Sequence, residues 1–311
     1  MNQTESPDKP GAPANTAGDS PYALFRNRDF TLFLVGRFIA VYGQQMAAVA
    51  VDWEIYERTH STLGLGLVGL SQMEAIIFWT LPAGYIADNF RRKRVILLMD
   101  LLICVSALSL TFVSAFRGSV VWIYVCLTIL GSARTILWPA NASFLPHLVS
   151  RQQFPRAVTF NSGTFQLAQM LGFTSGGFVV ALAHCAWPVY AITVATSLVY
   201  FIMVTFIRRE HQPPERQPFS LKVLSAGIHF IFENQVILGV ITLDLFAVLL
   251  GGATSLFPVY AKDILKSGPS GLGILTAAMP VGAVLCAVLL SHRPPMQKAG
   301  RAMLLSVAAF G

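Results

Sequence analysis

Eight long apolar runs dominate this sequence and constrain its fold more than any other feature. Their approximate limits are Phe30–Val51, Leu63–Ala87, Val95–Phe116, Val120–Asn141, Phe160–Ala183, Ala186–Ile207, Val236–Tyr260 and Leu272–Leu290. Each run holds about 20 residues, the length at which an α-helix crosses the hydrocarbon core of a bilayer. Charged residues make up only 12% of the chain, whereas soluble domains carry about 25%. The sequence therefore predicts an all-α polytopic membrane protein embedded in the lipid bilayer.

Lysine and arginine are distributed unequally between the segments that join these runs. If the N-terminus lies in the cytoplasm, 15 of them fall on cytoplasmic segments and 4 on external ones. Cytoplasmic loops of membrane proteins carry this kind of positive excess. The pattern predicts a bacterial-type inner (plasma) membrane protein with a cytoplasmic N-terminus. It also accounts for the net charge of +7 without nucleic acid as a partner.

Polar and proline-rich stretches divide the chain into four parts. Residues 1–21 are predicted to be a disordered cytoplasmic tail, 22–209 an N-terminal six-helix bundle, 210–234 a cytoplasmic linker and 235–311 a partial C-terminal bundle. After the eighth run and a basic turn, Ala302–Gly311 remain. Ten helical residues cover about 15 Å, half of a hydrocarbon core. We interpret this as eight complete helices plus a partial ninth, in a chain that is either a fragment or naturally truncated.

Sequence signatures of catalysis and of metal or cofactor binding are absent. The four cysteines lie singly within apolar runs and form no C-x-x-C pair, so neither a disulfide framework nor a zinc site is predicted. No P-loop is found, which argues against ATP as an energy source. We predict a monomer that is not an enzyme, holds no cofactor or metal, and draws its energy from an ion gradient.

A short motif joins the second and third runs. It is a G-x-x-x-D sequence, from Gly84 to Asp88, followed by the basic cluster Arg91–Arg94. With six runs, a linker and a second set of runs, this motif resembles the major facilitator superfamily, in its enterobactin-exporter-like and drug-efflux-like branch. Further stretches that carry the resemblance are Asn27–Phe30, Gly36–Ile39, Thr59–Leu70, Pro82–Gly84, Gly131–Arg134, Trp138–Ala140, Asn161–Ser162, Gly172 and Gly176–Gly177.

The resemblance implies a fold of two six-helix halves around a central cavity, here truncated. It also implies that the motif latches the two halves in one conformation of the transport cycle, with gating residues Gly84, Asp88, Arg92 and Lys93. Gly84 lacks a Cβ and would let a neighbouring helix approach closely. The alternative is that the basic cluster only sets the topology of the chain.

Several polar side chains recur at seven- or eight-residue spacing along the first run, which places them on one helix face. Ser162, Gln166 and Gln169 share one face of the fifth run, at spacings of four and three residues. Because contact with lipid would be costly, both groups are predicted to face a water-filled cavity or to bond between helices. The candidates for lining a substrate cavity are Arg37, Gln44, Gln45, Asn161, Gln166 and Gln169.

Ionisable residues within the runs are candidates for proton coupling. Such a residue at the bilayer centre costs roughly 2.5–3.5 kcal/mol on insertion scales, which favours a functional reason for its presence. A structural ion pair or a hydrogen bond to the backbone is the alternative. For the acid near the end of the first run, the alternative is an interfacial acid pair beside Arg58. The candidates are Glu74, Asp244, Asp52 and Arg134.

The predicted function is secondary active transport. The form that the resemblance favours is proton-coupled export of a small amphipathic solute, such as a drug or a siderophore, by alternating access. Its partners would be the solute and the coupling proton. Two alternatives stay open: import of a solute or lipid by a protein of the same superfamily, and a truncated membrane protein that does not transport. No proline follows Gly172, where the resemblance leads one to expect it in exporters, and this keeps import open.

Overall fold

The computed structural model describes residues 21–208, 232–250, 252–291, 300 and 304–307. The predicted tail and most of the predicted linker lie outside these ranges, so both stay predictions. Two predicted site residues, Asp88 and Asp244, belong to described helices, but their side chains lie outside what the structure describes.

Eight long helices account for most of the described chain. After a 3-10 turn at Pro21–Arg26, they are α1 Arg28–Thr59, α2 Thr62–Asn89, α3 Arg92–Ala115, α4 Val120–Leu148, α5 Phe154–Ala183, α6 Trp187–Thr205, α7 Gln235–Leu250 and α8 Gly268–Ser291. In the described part of the chain, all of these except α7 include a stretch that is long and apolar enough to cross a membrane. The predicted all-helical membrane architecture is thus confirmed.

Local chemistry explains where the first helix begins and ends. The Asn27 side chain accepts hydrogen bonds from the Asp29 and Phe30 amides at 3.2 and 3.4 Å, which satisfies two N–H groups at the start of α1. Its amide nitrogen also donates to the Leu148 carbonyl at 2.6 Å and joins α1 to the end of α4. At the other end, His60 adopts a left-handed conformation with φ of 47° and terminates the helix.

The junctions define two ends of the bundle. The "basic end" holds the short α2–α3 and α4–α5 junctions and the cluster Arg91–Arg94, and the "opposite end" holds the α1–α2, α3–α4 and α5–α6 junctions. Two apolar cores occupy the bundle. One includes Phe30, Phe33 and Phe144 towards the basic end, and the other includes Tyr56 and Tyr190 towards the opposite end.

The predicted seventh span differs from the structure. Instead of one helix over Val236–Tyr260, α7 is 16 residues long. It is followed by a 3-10 helix at Gly252–Leu256, a single turn at Phe257–Val259 and a π-helical turn at Tyr260–Ile264. Glycine at 252 weakens helix continuity, and Pro258 lacks the N–H that a continuous helix requires. A hydropathy pattern does not register such breaks.

The basic cluster also differs from its prediction as a turn between helices. Arg92, Lys93 and Arg94 form the first turn of α3. The Lys93 ammonium donates to the Thr205 and Ile207 carbonyls at 3.0 and 2.7 Å, and a cation is favourable at this C-terminal end of α6. The cluster therefore has a packing role within the first six helices.

Candidate functional site

A polar cavity of about 450 Å³ lies inside the first six helices. Five of the predicted site residues line it, from three helices. They are Arg37, Gln44 and Gln45 of α1, Arg134 of α4 and Gln169 of α5. Its remaining wall includes Trp138, Asn141, Phe165 and Tyr200. We call it the arginine cavity.

The guanidinium of Arg37 occupies one side of the arginine cavity. It donates to the amide oxygen of Asn161 at 2.5 Å, so another predicted cavity residue is its direct partner. The same guanidinium lies 5.8 Å from the ring centroids of both Trp138 and Phe165. These two rings meet edge to face, with centroids 5.4 Å apart. The arrangement combines a fixed cation with two aromatic surfaces.

Arg134 lies at the centre of the bundle and borders three cavities. Its Nε donates to the Gln44 side-chain oxygen at 2.9 Å. Besides the arginine cavity, it lines a cavity of about 520 Å³ that reaches Gly84 and one of about 600 Å³ that reaches Asp52. One side chain therefore touches all three of these polar spaces.

The 600 Å³ cavity lies between the first six helices and the later part of the chain. Asp52 and Gln166 face it from the first six helices, together with Gln45 and Gln169. Thr254, Ser255 and Thr276 face it from residues 252–291. Among the described residues, the Asp52 carboxylate has no hydrogen-bond or ion-pair partner. It is thus a carboxyl open to a cavity that two parts of the chain share.

The predicted gating residues Gly84, Arg92 and Lys93 have separate surroundings in this structure. Gly84 lines the 520 Å³ cavity, and a Cβ added to it would have nothing within 4 Å. Arg92 contacts the His147 ring at the end of α4, whereas Lys93 binds the end of α6. The close helix contact expected at Gly84 is not seen among the described residues, and the Asp88 side chain is outside the described part.

The predicted coupling residues occupy different surroundings. Asp52 and Arg134 face cavities, as described above. Glu74 is exposed on α2, on a surface with Leu70, Ile77 and Phe78, all more than half exposed. The side chain of Asp244 lies outside the described part of the chain. Glu74 is therefore separate from the three cavities.

A second polar cluster lies on α1 near the opposite end. Both oxygens of the buried Glu54 carboxylate have partners: Oε1 lies 2.5 Å from the Arg58 guanidinium and 2.8 Å from the Ser114 hydroxyl. Oε2 accepts from the Tyr190 hydroxyl at 2.7 Å. Arg58 donates further to the Gly118 carbonyl at 2.9 Å. We call this set the Glu54 cluster. This arrangement of Glu54 matches the alternative given in the sequence analysis, in which an acid near the end of the first run pairs with Arg58.

Two contacts join α1 and α5 to the later part of the chain, both near the opposite end. The Tyr56 hydroxyl donates to the Asp263 carboxylate, and the Lys262 ammonium lies 5.5 Å from the Tyr56 ring centroid. Helices α5 and α8 cross at Gly177 and Gly273, where a Cβ added to Gly177 would lie 2.9 Å from the Gly273 Cα. Glycine at both positions allows the main chains to touch.

Sequence reasoning missed a buried acid in α3. Asp100 is fully buried, and its Oδ1 accepts from the Ser197 hydroxyl of α6 at 2.9 Å. Its Oδ2 has no partner among the described residues. The same signal that selected Glu74, an ionisable residue inside an apolar run, was present at this position. The cavity residues Asn141 and Tyr200, joined by a 2.9 Å hydrogen bond, carried a weaker signal.

Comparison with known families decides what this architecture is. A family model described as transmembrane secretion effector, within the major facilitator superfamily, matches residues 19–311. The chain belongs to this family. The major facilitator fold expected from the sequence is confirmed, and the protein is an integral membrane protein.

Among the described residues, no group of three or more His, Cys, Asp or Glu side chains is placed to hold a metal ion.

Curated relatives include the enterobactin exporter EntS. The proteins from Escherichia coli (strain HS) and Shigella boydii serotype 18 are both 26% identical to the chain over 278 residues. The alignment covers 89% of this chain, and the chain spans 66% of the length of these relatives.

Solved structures with the same fold are peptide transporters. A variant of peptide transporter POT in complex with alafosfalin matches with a TM-score of 0.52 and 18% identity, over 91% of this chain and 71% of that chain. The POT family transporter PepTSo matches with a TM-score of 0.53 and 17% identity, over 83% and 52% of the two chains. At these identities the likeness shows the fold alone.

Proposed function

We propose that this protein is a secondary transporter that exports a small amphipathic solute in exchange for protons. One observation carries the proposal: three cavities meet at the charged side chain of Arg134 in the middle of a mostly apolar helical bundle. Major facilitator proteins bind solutes near the bilayer midplane and expose the site alternately to each side. The name of the enterobactin exporter relatives supports export as the direction.

The contacts between the two parts of the chain support a conformation closed at the opposite end. The Tyr56–Asp263 hydrogen bond and the Gly177–Gly273 crossing both lie there. The positive-inside pattern assigns the basic end to the cytoplasm. The described conformation is then the one that accepts solute from the cytoplasm, and release to the outside requires that both contacts open.

Among the described acids, Asp52 is the best candidate for the coupling carboxyl. It faces the cavity shared by the two parts, and it has no hydrogen bond or ion pair within the described region that protonation would break. Glu54 is bonded through both oxygens, and Glu74 faces away from the cavities. A proton bound from outside by Asp52 would remove a negative charge from the cavity next to Arg134 and so change how strongly that cavity holds a charged solute. The role of Asp244 stays a prediction.

The gating role of Gly84 and Asp88 also remains a proposal. The open space beside Gly84 is consistent with a latch that forms only when the basic end closes, in the outward-facing state. Arg92 and Lys93 would then position the start of α3 and the end of α6 rather than form the latch themselves. Asp88→Asn is expected to reduce transport, and a variant with unchanged transport would remove the latch.

The test is efflux from cells that express the protein from its own gene, using a panel of fluorescent amphipathic compounds with and without a proton uncoupler. We expect uncoupler-sensitive efflux that Asp52→Asn abolishes. The matched control is Glu57→Gln, an exposed acid on the same helix, which should retain efflux. Efflux from Asp52→Asn that equals the unmodified protein and still responds to uncoupler would exclude Asp52. Uptake in place of efflux would show an importer.

A further inference from the structure

The arginine cavity contains two cations without a neutralising acid. Arg37 bonds to the Asn161 amide and Arg134 to the Gln44 amide, both neutral acceptors. Neither guanidinium has a carboxylate within ion-pair distance among the described residues. Both side chains are half-buried, and a charge that is partly withdrawn from water is stabilised by a compensating negative charge. The cavity therefore has an unmet electrostatic requirement that a bound anion would satisfy.

The neighbouring acid does not remove this requirement. Asp52 lines the 600 Å³ cavity, which Arg134 also lines but Arg37 does not. It does not line the arginine cavity among the described residues. The charged side chains that line the arginine cavity itself are the two arginines.

The aromatic wall adds a second element of selectivity. The Trp138 and Phe165 rings form an edge-to-face pair next to the Arg37 guanidinium. A flat aromatic ligand can stack on such rings, and a carboxylate or phenolate on it can meet a guanidinium through paired hydrogen bonds. Gln45 and Gln169 offer further donors and acceptors on the same cavity wall. A volume of about 450 Å³ lies within the range of small-molecule sites.

We propose that the solute is an aromatic anion, whose carboxylate or phenolate binds between Arg37 and Arg134 while its ring packs against Trp138 and Phe165. This inference rests on the proposed function, because it names the substrate class of the same cavity. It goes beyond that function because an amphipathic exporter could equally favour cationic drugs. The two arginines disfavour those cations by direct repulsion.

The test compares three probes of one shape on the purified, detergent-solubilised protein. They are 2-naphthoate, neutral naphthalene-2-carboxamide and cationic 2-naphthylmethylammonium, with affinities measured by isothermal titration calorimetry. We expect the anion to bind about tenfold tighter than the amide, and the cation weakest, because hydrogen bonds between ionised partners are stronger than neutral ones. Equal affinity of the three probes, or a preference for the cation, would overturn the proposal.

Variants then locate the effect in the cavity. In the double variant Arg37→Gln/Arg134→Gln, the preference for the anion over the amide should disappear, because both cations are gone. Arg151→Gln removes one exposed positive charge at the basic end and should retain the preference. A preference that survives the double variant would place the anion elsewhere and overturn the proposal. The probe series on the unmodified protein decides the matter if the double variant does not fold.

Binding and transport outcomes separate this inference from the proposed function. Selective anion binding without transport in proteoliposomes would keep the substrate class and reject the exporter. Proton-driven transport that prefers cations would keep the exporter and reject the substrate class. Binding is measured at equilibrium without a proton gradient, so it is detected even if the protein does not couple transport to protons.

Discussion

Two polar clusters lie on the same helix, and they differ in how their charges are compensated. In the Glu54 cluster, a carboxylate meets a guanidinium and two hydroxyl groups, so that α1, α3 and α6 are joined by satisfied bonds. In the arginine cavity, two guanidiniums meet neutral amides and, for Arg37, two aromatic rings, but no carboxylate among the described residues. The first cluster is complete without a ligand, whereas the second is not.

This difference separates structural charge from functional charge within one family fold. A paired and fully bonded buried charge holds helices together, and its removal leaves partners unsatisfied. A cavity-facing charge without a partner contributes little to packing, so its removal should spare stability and affect ligands. Melting temperature and transport rate, measured on the same variants, show whether the Glu54 cluster stabilises the fold and the arginine cavity acts on the solute.

The largest expected effect is on stability, from Glu54→Gln. The substitution removes the charge that the Arg58 guanidinium faces and weakens the bonds from Ser114 and Tyr190. Breaking a buried pair in this way costs about 3 kcal/mol, which should appear as a clear drop in melting temperature in detergent. Glu57→Gln, on the exposed side of the same helix, should change stability by less than about 0.5 kcal/mol. Equal melting of the two variants would contradict a structural role for the Glu54 cluster.

A matched pair of tyrosines tests the same contrast one hydroxyl at a time. Tyr190 and Tyr200 are both fully buried, and each donates to a side chain, Glu54 and Asn141 respectively. Hydrogen bonds to charged groups are worth about 1.5–3 kcal/mol and neutral ones about 1 kcal/mol. Tyr190→Phe should therefore lower the unfolding free energy by about twice as much as Tyr200→Phe. The reverse order would show that charge compensation does not distinguish the two regions.

Arg134→Gln should reduce transport without lowering stability, in contrast to Glu54→Gln. Glutamine keeps a donor for the Gln44 oxygen and removes an uncompensated charge, so we expect no fall in melting temperature. Loss of the cation from all three cavities should reduce the initial rate of efflux about tenfold, equivalent to about 1.4 kcal/mol. A melting temperature lowered as far as in Glu54→Gln would assign Arg134 to the structural class instead.

The smallest effect is expected for Asp100→Asn, because Asp100 belongs to neither cluster. An asparagine oxygen can still accept from Ser197, and the unpartnered carboxylate oxygen is replaced by a neutral amide. Stability should change by less than about 1 kcal/mol. A larger loss of unfolding free energy, measured by thermal unfolding, would show that the second oxygen of Asp100 has a structural partner. Asp100 would then have a structural role, as Glu54 does.

Hydropathy and charge predicted most of the helices because membrane helices are selected for apolar length, a property of local sequence. The interruption at Gly252 and Pro258 was not predicted, since a window average hides single residues that break a helix. Helical spacing correctly grouped Arg37, Gln44 and Gln45 on one face. Only the structure could pair Arg134 with Gln44, because that contact joins residues 90 positions apart.

Acidic residues show where sequence reasoning stops. Glu74 and Asp100 each lie within an apolar run and Glu54 lies just beyond the end of the first run, and composition alone does not distinguish the three carboxyls. In the structure they are respectively ion-paired, exposed and buried with one oxygen unpartnered. Their difference depends on which neighbouring helix presents a donor, and this is a property of the packing between helices.

The crossing of α5 and α8 at Gly177 and Gly273 has a kinetic consequence. Side-chain contacts can loosen gradually, because one rotamer after another changes while the rest hold. Here main chain meets main chain, with no side chain at either glycine to rearrange. The two helices must therefore rotate about this point or lose the whole contact at once. Opening at this end of the bundle therefore requires a main-chain movement at Gly177 and Gly273 in addition to the loss of the Tyr56–Asp263 hydrogen bond.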